Sequence, residues 1–267
     1  MKSLLQRSVF AKDYFCFYPQ YAGMSRQSYG GSIGLLLACG LYGGPPSQLE
    51  KRLEYLEKLL SLDLLKFEHT LWNIRRPPAP SQERAALIRS LPEEGHVRVI
   101  GPDQTAKLRA LHPIFDALGR KFAYHVQVID VPQAFLGLHE RTVILLSVNA
   151  LDLLGTEELC AVVTHEAGHE FFWDEYALAR ATRSESAMRR IELLADAAAV
   201  LTLDRLEIDA GFLITALRKL TEFNQTHLGF SFNANSYPTL ESRAEKILDL
   251  SRRLTRRAPP HHASKRK

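Results

Sequence analysis

The sequence predicts a mostly helical α+β protein, with a small β-sheet or hairpin set beside one buried helix. Three observations carry that expectation. Apolar residues recur at helical spacing over residues 47–71 and again from residue 156 almost to the C-terminal tail. Two runs rich in Val and Ile, "YHVQVIDV" and "RTVILLS", interrupt the helical pattern between them. The stretch "VVTHEAGHEFFW", Val162–Trp173, sets two histidines four residues apart in an otherwise apolar helical segment.

Taken in order, residues 1–46 are Gly-rich and aromatic, end in "GGPP", and receive no assignment. A start such as "MKSLLQRSVFAKDY" is no secretory signal, because Gln6, Arg7 and Lys12 break its apolar run. The most apolar stretch, "SIGLLLACGLYGG", is far shorter than the roughly 20 residues that span a bilayer. It reads as a buried helix or a Gly-hinged segment, and no transmembrane segment is expected. A helix is expected from Ser47, where Ser47 and Glu50 form a capping-box pattern after Pro45-Pro46. Leu49, Leu53, Leu56, Leu60, Leu64, Phe67 and Leu71 make it one core-facing helix, too short for a coiled coil. "RRPPAPSQ", Arg75–Gln82, is a linker, since prolines do not sit in a helix interior.

Further elements follow: a short helix over about 82–91, a strand at "HVRVI", and a helix over 103–122 bent near Pro113. The two Val/Ile runs are strands, and "PQAFLGLHE" between them reads as a turn or loop. The chain thus divides into an N-terminal helical region at 1–92, a main domain at 93–250, and a basic tail at 251–267 expected to be disordered beyond Arg257.

Charge is unevenly placed. The net +4 comes from 34 Lys and Arg against 30 Asp and Glu. Seven of the positives (Arg252, Arg253, Arg256, Arg257, Lys265, Arg266, Lys267) lie after residue 250, with no acid among them. Removing them leaves 34 − 7 = 27 positives against 30 acids, so the body is mildly acidic. No aromatics interleave with the basic tail, and no nucleic-acid partner is expected. An acidic membrane surface is the other partner such a tail suggests. The cysteines Cys16, Cys39 and Cys160 are odd in number and widely spaced, which fits a reducing compartment without disulfides. A cytoplasmic location, with peripheral membrane contact as its variant, is the expectation.

The chemistry centres on "HEAGH". Thr156 is expected to cap a helix with Glu157 and Glu158 in its first turn. Leu159, Val162, Val163 and Ala167 form its buried side. His165 and His169 then lie one turn apart on one face, where two imidazoles reach one ion. Glu166 projects to the side and can hold the attacking water. A third ligand is offered by "IELLADAAAV". Glu192 and Asp196 are four apart beside the apolar residues Ile191, Leu194, Ala195 and Ala198. Glu192 is the expected ligand, and Asp196 is expected to accept the outer ring N–H of His165. His69, His96, His112, His125 and His139 have no ligand partners at useful spacing. His227 can reach the site, and His261 and His262 sit in the basic tail.

With HExxH followed by E-x-x-A-D, the chain resembles the gluzincin metallopeptidases of the HtpX and CAAX-prenyl-protease (Ste24-like) type. The resemblance covers about residues 95–250. "GTEELCAVVTHEAGHE" is similar to that family's active-site helix. "VQVIDVPQAFLGLHERTVILLS" is similar to its edge strand and hairpin, with Gln133-Ala134-Phe135 where N-A-F is usual. "DAGFLITALRKL" and "NSYPTLESRAEKI" are similar to later segments. The resemblance implies a zincin-like core, one Zn²⁺ ion, and a soluble form without a membrane chamber, because His169 and Glu192 are only 23 positions apart. Tyr237 stands where the family has His, and the resemblance assigns it and Arg243 to the oxyanion. The expected activity is zinc-dependent endopeptidase (metalloprotease) hydrolysis. Glu166 is the general base in that scheme, and a peptide or unfolded protein is added as a strand at 126–131 or 142–147. The alternatives are a catalytically weak zinc-containing binding module and a sensor-type gluzincin that cuts one protein.

Overall fold

A computed structural model describes residues 46–91, 95–97, 99–229 and 237–257. The glycine-rich start, the apolar run at 32–44 and the tail after residue 257 lie outside the described residues. The expectation of a mostly helical α+β chain with a small sheet holds. None of the described helices is long and apolar enough to cross a membrane.

Two helices, α1 (Pro46–Leu62) and α2 (Leu64–Ile74), stand where one was expected. The break is chemical. The Asp63 carboxylate accepts the Lys66 N–H at 3.0 Å and starts a new helix there. Arg253 donates to the carbonyls of Leu60 and Ser61, at 2.7 and 3.2 Å, so the last turn of α1 keeps its hydrogen bonds. Leu49, Leu53, Leu56, Leu64, Phe67 and Leu71 are all buried, as their spacing requires.

The linker from Arg75 is extended and leads into α3 (Ser81–Ser90). The segment at "HVRVI" forms only a single bridge, His96 to Ile129, among its described residues rather than the expected strand. The helix expected over 103–122 is two, α4 (Pro102–Arg109) and α5 (His112–Ala117), with Pro113 in the first turn of the second.

The sheet has three strands, β1 (His125–Ile129), β2 (Leu136–His139) and β3 (Val143–Ser147), in the order β1-β3-β2. β3 pairs parallel with β1 and antiparallel with β2. The loop expected at 132–140 therefore contains a strand. Its hairpin turn uses Glu140 and Arg141, with φ of 47° and 58°. Positive φ at both central residues is the tight hairpin geometry usually signalled by Asn-Gly, and Glu-Arg gives no such signal. The segment at 142–147 is the central strand, so it offers no free edge, and β2 is an outer strand instead. β3 alternates faces as a strand must. Ile144 and Leu146 point into the main core, while Val143 and Leu145 meet Leu91, Ile129, Val131 and Phe135 on the other side.

After a short α6 (Val148–Leu153) come α7 (Thr156–Gly168), a 3₁₀ turn (His169–Phe172) and α8 (Trp173–Thr182). α9 (Glu185–Arg205), α10 (Gly211–Leu228) and α11 (Leu240–Arg257) are the last of the described elements. α11 carries the start of the basic segment, so residues 251–257 are helical rather than part of a tail. α7 is buried on every side from Glu158 to Gly168, not along one stripe. A helix enclosed in this way is the core of a layered assembly. α1 is docked on α9 partly by Arg190, which forks Glu57 at 2.9 and 3.0 Å and reaches Glu50 at 2.6 Å.

One buried polar hub ties distant parts together. Glu170, in the 3₁₀ turn, accepts from Arg75 at 2.6 Å, Arg120 at 2.9 Å and Tyr124 at 2.7 Å. Arg75 also donates to the Leu118 carbonyl, and Arg120 to the Arg76 carbonyl. Burial alone raises the Glu170 pKa, but the two arginines and Tyr124 outweigh it and hold the carboxyl below its ordinary value. Its stabilisation is present above the unfolded carboxyl pKa and is lost as pH falls through the lower folded value. Glu170→Gln is expected to destabilise the fold by about 3–5 kcal/mol in urea titrations at neutral pH. The gap from wild type should shrink below about pH 4; a gap that stays constant into acid is the contrary result.

Candidate metal centre

The site is built by two buried helices that touch. α7 supplies His165 and Glu166, and the first residue of the 3₁₀ turn supplies His169. α9 supplies Glu192 and Asp196, both buried together with the apolar residues Ile191, Leu194, Ala195 and Ala198 that border them. The helices approach closely at Gly168. A Cβ there would stand 2.8 Å from the Ala195 carbonyl oxygen, closer than real Cβ contacts come. Glycine at this position lets the ligand helices meet. Thr156 is the first helical residue rather than the cap. Gly155 precedes the helix, and Glu158 accepts its N–H at 2.8 Å. Lys219 from α10 pairs with the same Glu158 oxygen at 2.7 Å.

The donor atoms converge. The Nε2 atoms of His165 and His169 are 3.2 Å apart. Each faces one oxygen of Glu192, at 3.5 and 3.6 Å. Donors held about 2.0–2.1 Å from one tetrahedral ion lie about 3.4 Å from one another. The three side chains could therefore hold a metal ion, and they fit one by spacing and by donor type.

Asp196 supports this set as expected. Its Oδ1 is 2.9 Å from His165 Nδ1, which directs Nε2 toward the other ligands. Arg243 in turn forks Asp196, with Nε to Oδ2 at 2.8 Å and Nη2 to Oδ1 at 2.7 Å. Its Nη2 also lies 3.3 and 3.4 Å from the two ring nitrogens of His165. Arg243 is thus a positioning residue for the Asp196–His165 pair, and it is not among the side chains that line the open cleft.

The titration behaviour follows from these contacts. Burial opposes charge on His165, as does Arg243, but Asp196 and Glu192 outweigh them and its pKa is pushed up to about 9. Burial holds His169 down at about 4 despite Glu192. Burial raises the Asp196 carboxyl, but Arg243 and His165 outweigh it and keep it far below the usual carboxylate range. Glu192 is lowered too, because His169, His165 and Arg243 together exceed the effect of its burial. Within the site, the buried Nδ1 of His169 stands without a hydrogen-bond partner.

A partly open cleft adjoins the site. Glu166, His169 and Glu192 lie along it, with Gly137 and Leu138 from β2, Trp173 and Tyr176 from α8, and Tyr237. Glu166 and Tyr237 therefore share one space with the ligands, as their expected roles require. His227 does not enter the site; it is exposed on α10, stacked on Phe223 at 4.3 Å. Trp173 and Tyr176 were not anticipated. Their signal was available, since they stand four and seven positions beyond His169.

In comparison with known proteins, no family model and no curated protein matches the chain.

Two substitutions test the support of the metal site without removing a ligand. Gly168→Ala should force α7 and α9 apart, and Asp196→Asn should release His165. Each is expected to weaken affinity for a divalent ion by roughly 10- to 100-fold in competition with a chelating dye, as loss of supporting contacts does elsewhere. Wild-type affinity in both variants would contradict the geometry described here.

Proposed function

We propose that this chain is a zinc-dependent endopeptidase with a gluzincin-like site on a zincin-like core. The single observation that carries the reading is the convergence of His165, His169 and Glu192 on one point, with Glu166 beside it in the same cleft. Two imidazoles and one carboxylate suit zinc, and three protein donors leave a position open. A zinc ion held there would polarise a scissile carbonyl and make a water acidic enough to attack near neutral pH.

The protein's own groups do the remaining work. Glu166 takes the proton of the attacking water and passes it to the departing amine. Tyr237 is buried at the cleft wall and its phenol can donate to the developing oxyanion. Asp196, clamped by Arg243, keeps His165 in the tautomer whose Nε2 lone pair faces the site. Among the two outer strands, β2 lines the cleft, so an extended peptide or unfolded segment pairs along β2 and crosses the ligands. The shared cleft favours an enzyme over a zinc-stabilised binding module, whose site would be closed.

Glu166→Gln should retain zinc in metal analysis while cleavage of a denatured-protein mixture falls by about 10²–10⁴-fold. Glu192→Ala should lose the metal itself. Hydrolysis that persists in Glu166→Gln, or survives exhaustive chelation of the wild type, would contradict the assignment.

A further inference from the structure

The side chains around the candidate site divide into two sets. Glu166, His169 and Glu192 belong to the metal chemistry, and Tyr237 is assigned to the oxyanion; Leu138, Trp173 and Tyr176 have no such role, and all three are apolar or aromatic. Resting on the endopeptidase reading, we propose that Trp173 and Tyr176 form a subsite that selects a bulky apolar or aromatic side chain next to the bond being cut.

The wall is held in place from several directions. Tyr176 is buried, and its ring lies 6.0 Å from that of the ligand His169 at 60°. Trp173 stacks on Tyr176, with centroids 6.3 Å apart and planes 28° from parallel. The Arg180 guanidinium lies 5.9 Å from the Tyr176 ring. Trp173 is only half-buried, so part of its ring faces the cleft that Leu138 bounds from β2. The opening of α8 therefore presents a rigid aromatic surface one turn beyond the ligand.

Charge completes the argument. The charged side chains lining the cleft are Glu166 and Glu192, two negatives that a divalent ion balances. Among the described residues no cationic side chain lines it to receive an acidic residue, and both carboxylates are committed elsewhere. Apolar burial is the recognition that remains. It favours Phe, Leu, Met or Tyr over small or charged residues by roughly tenfold or more, the range that a few buried carbons supply.

The test uses the zinc-loaded full chain and acetylated eight-residue Ala/Gly peptide amides with Phe, Leu, Ala, Lys or Asp at one central position. The Phe and Leu peptides should be cut beside that residue, with kcat/KM about tenfold or more above the others. Trp173→Ala should collapse the Phe-to-Ala ratio toward one with zinc content unchanged, and Trp173→Phe should restore it. An unchanged ratio in Trp173→Ala, or a preference for Lys or Asp, overturns the subsite. Should no peptide be cut, the endopeptidase reading fails and calorimetry on zinc-loaded Glu166→Gln decides the subsite separately. Tighter binding of the Phe peptide that Trp173→Ala abolishes supports it, and equal binding of all five peptides refutes it.

Discussion

The contact of α7 with α9 at Gly168 and Ala195 is the constraint on which the site depends. His165 and His169 need only one helix and one turn to face the same way. Glu192 belongs to a different helix, and its carboxylate reaches 3.5 Å from one imidazole only because no side chain separates the backbones. The enclosure of α7 follows from the same contact. Packed on α9, α10 and β2, it is buried from Glu158 to Gly168, and the polar residues of that stretch are held inside the protein. Interior carboxylates and imidazoles are tolerable where they pair with charges or serve a metal.

The pairing groups come from far along the chain. Asp196 is matched by Arg243 on the last helix, and Glu170 by Arg75 from the linker and Arg120 from beyond α5. These arginines act as ties as well as counter-charges. Arg75 and Arg120 also bind backbone carbonyls at residues 118 and 76, so the linker, the end of α5 and the turn after His169 are locked as one unit. A proline-rich stretch without helix or strand is thereby fixed beside the ligand turn. Glu170 follows His169 directly, and a rigid ligand at the end of a helix needs such an anchor, because the last turn of a helix otherwise frays.

Much of this was legible from residue types and spacing. HExxH, the E-x-x-A-D pair and the apolar stripe of α1 and α2 each obey a simple period, and each side chain lies where that period puts it. What spacing alone could not give has identifiable physical causes. Asp63 splits a helix that its leucines continue across, because a side-chain cap competes locally with the helix while the apolar period does not change. β2 was hidden because its hairpin turns through Glu140 and Arg141, residues that rarely adopt positive φ. Arg243 was expected at the oxyanion. The structure shows its fork on Asp196, which depends on how α11 crosses α9, a tertiary relation without sequence period.

The 3₁₀ turn sets how the chain leaves the candidate ligands. In an unbroken α-helix a residue four positions on lies about 40° around the axis from its predecessor. Trp173 would then share the face of His169. Over His169–Phe172 the chain winds at three residues per turn, which carries Trp173 about 120° around instead. Phe172 adds a kink, with φ −114° and ψ 23°, before α8 resumes. The tighter winding falls between the candidate ligand His169 and the pair Trp173 and Tyr176, so a short length of altered helix lies between the candidate metal site and the aromatic wall of the cleft.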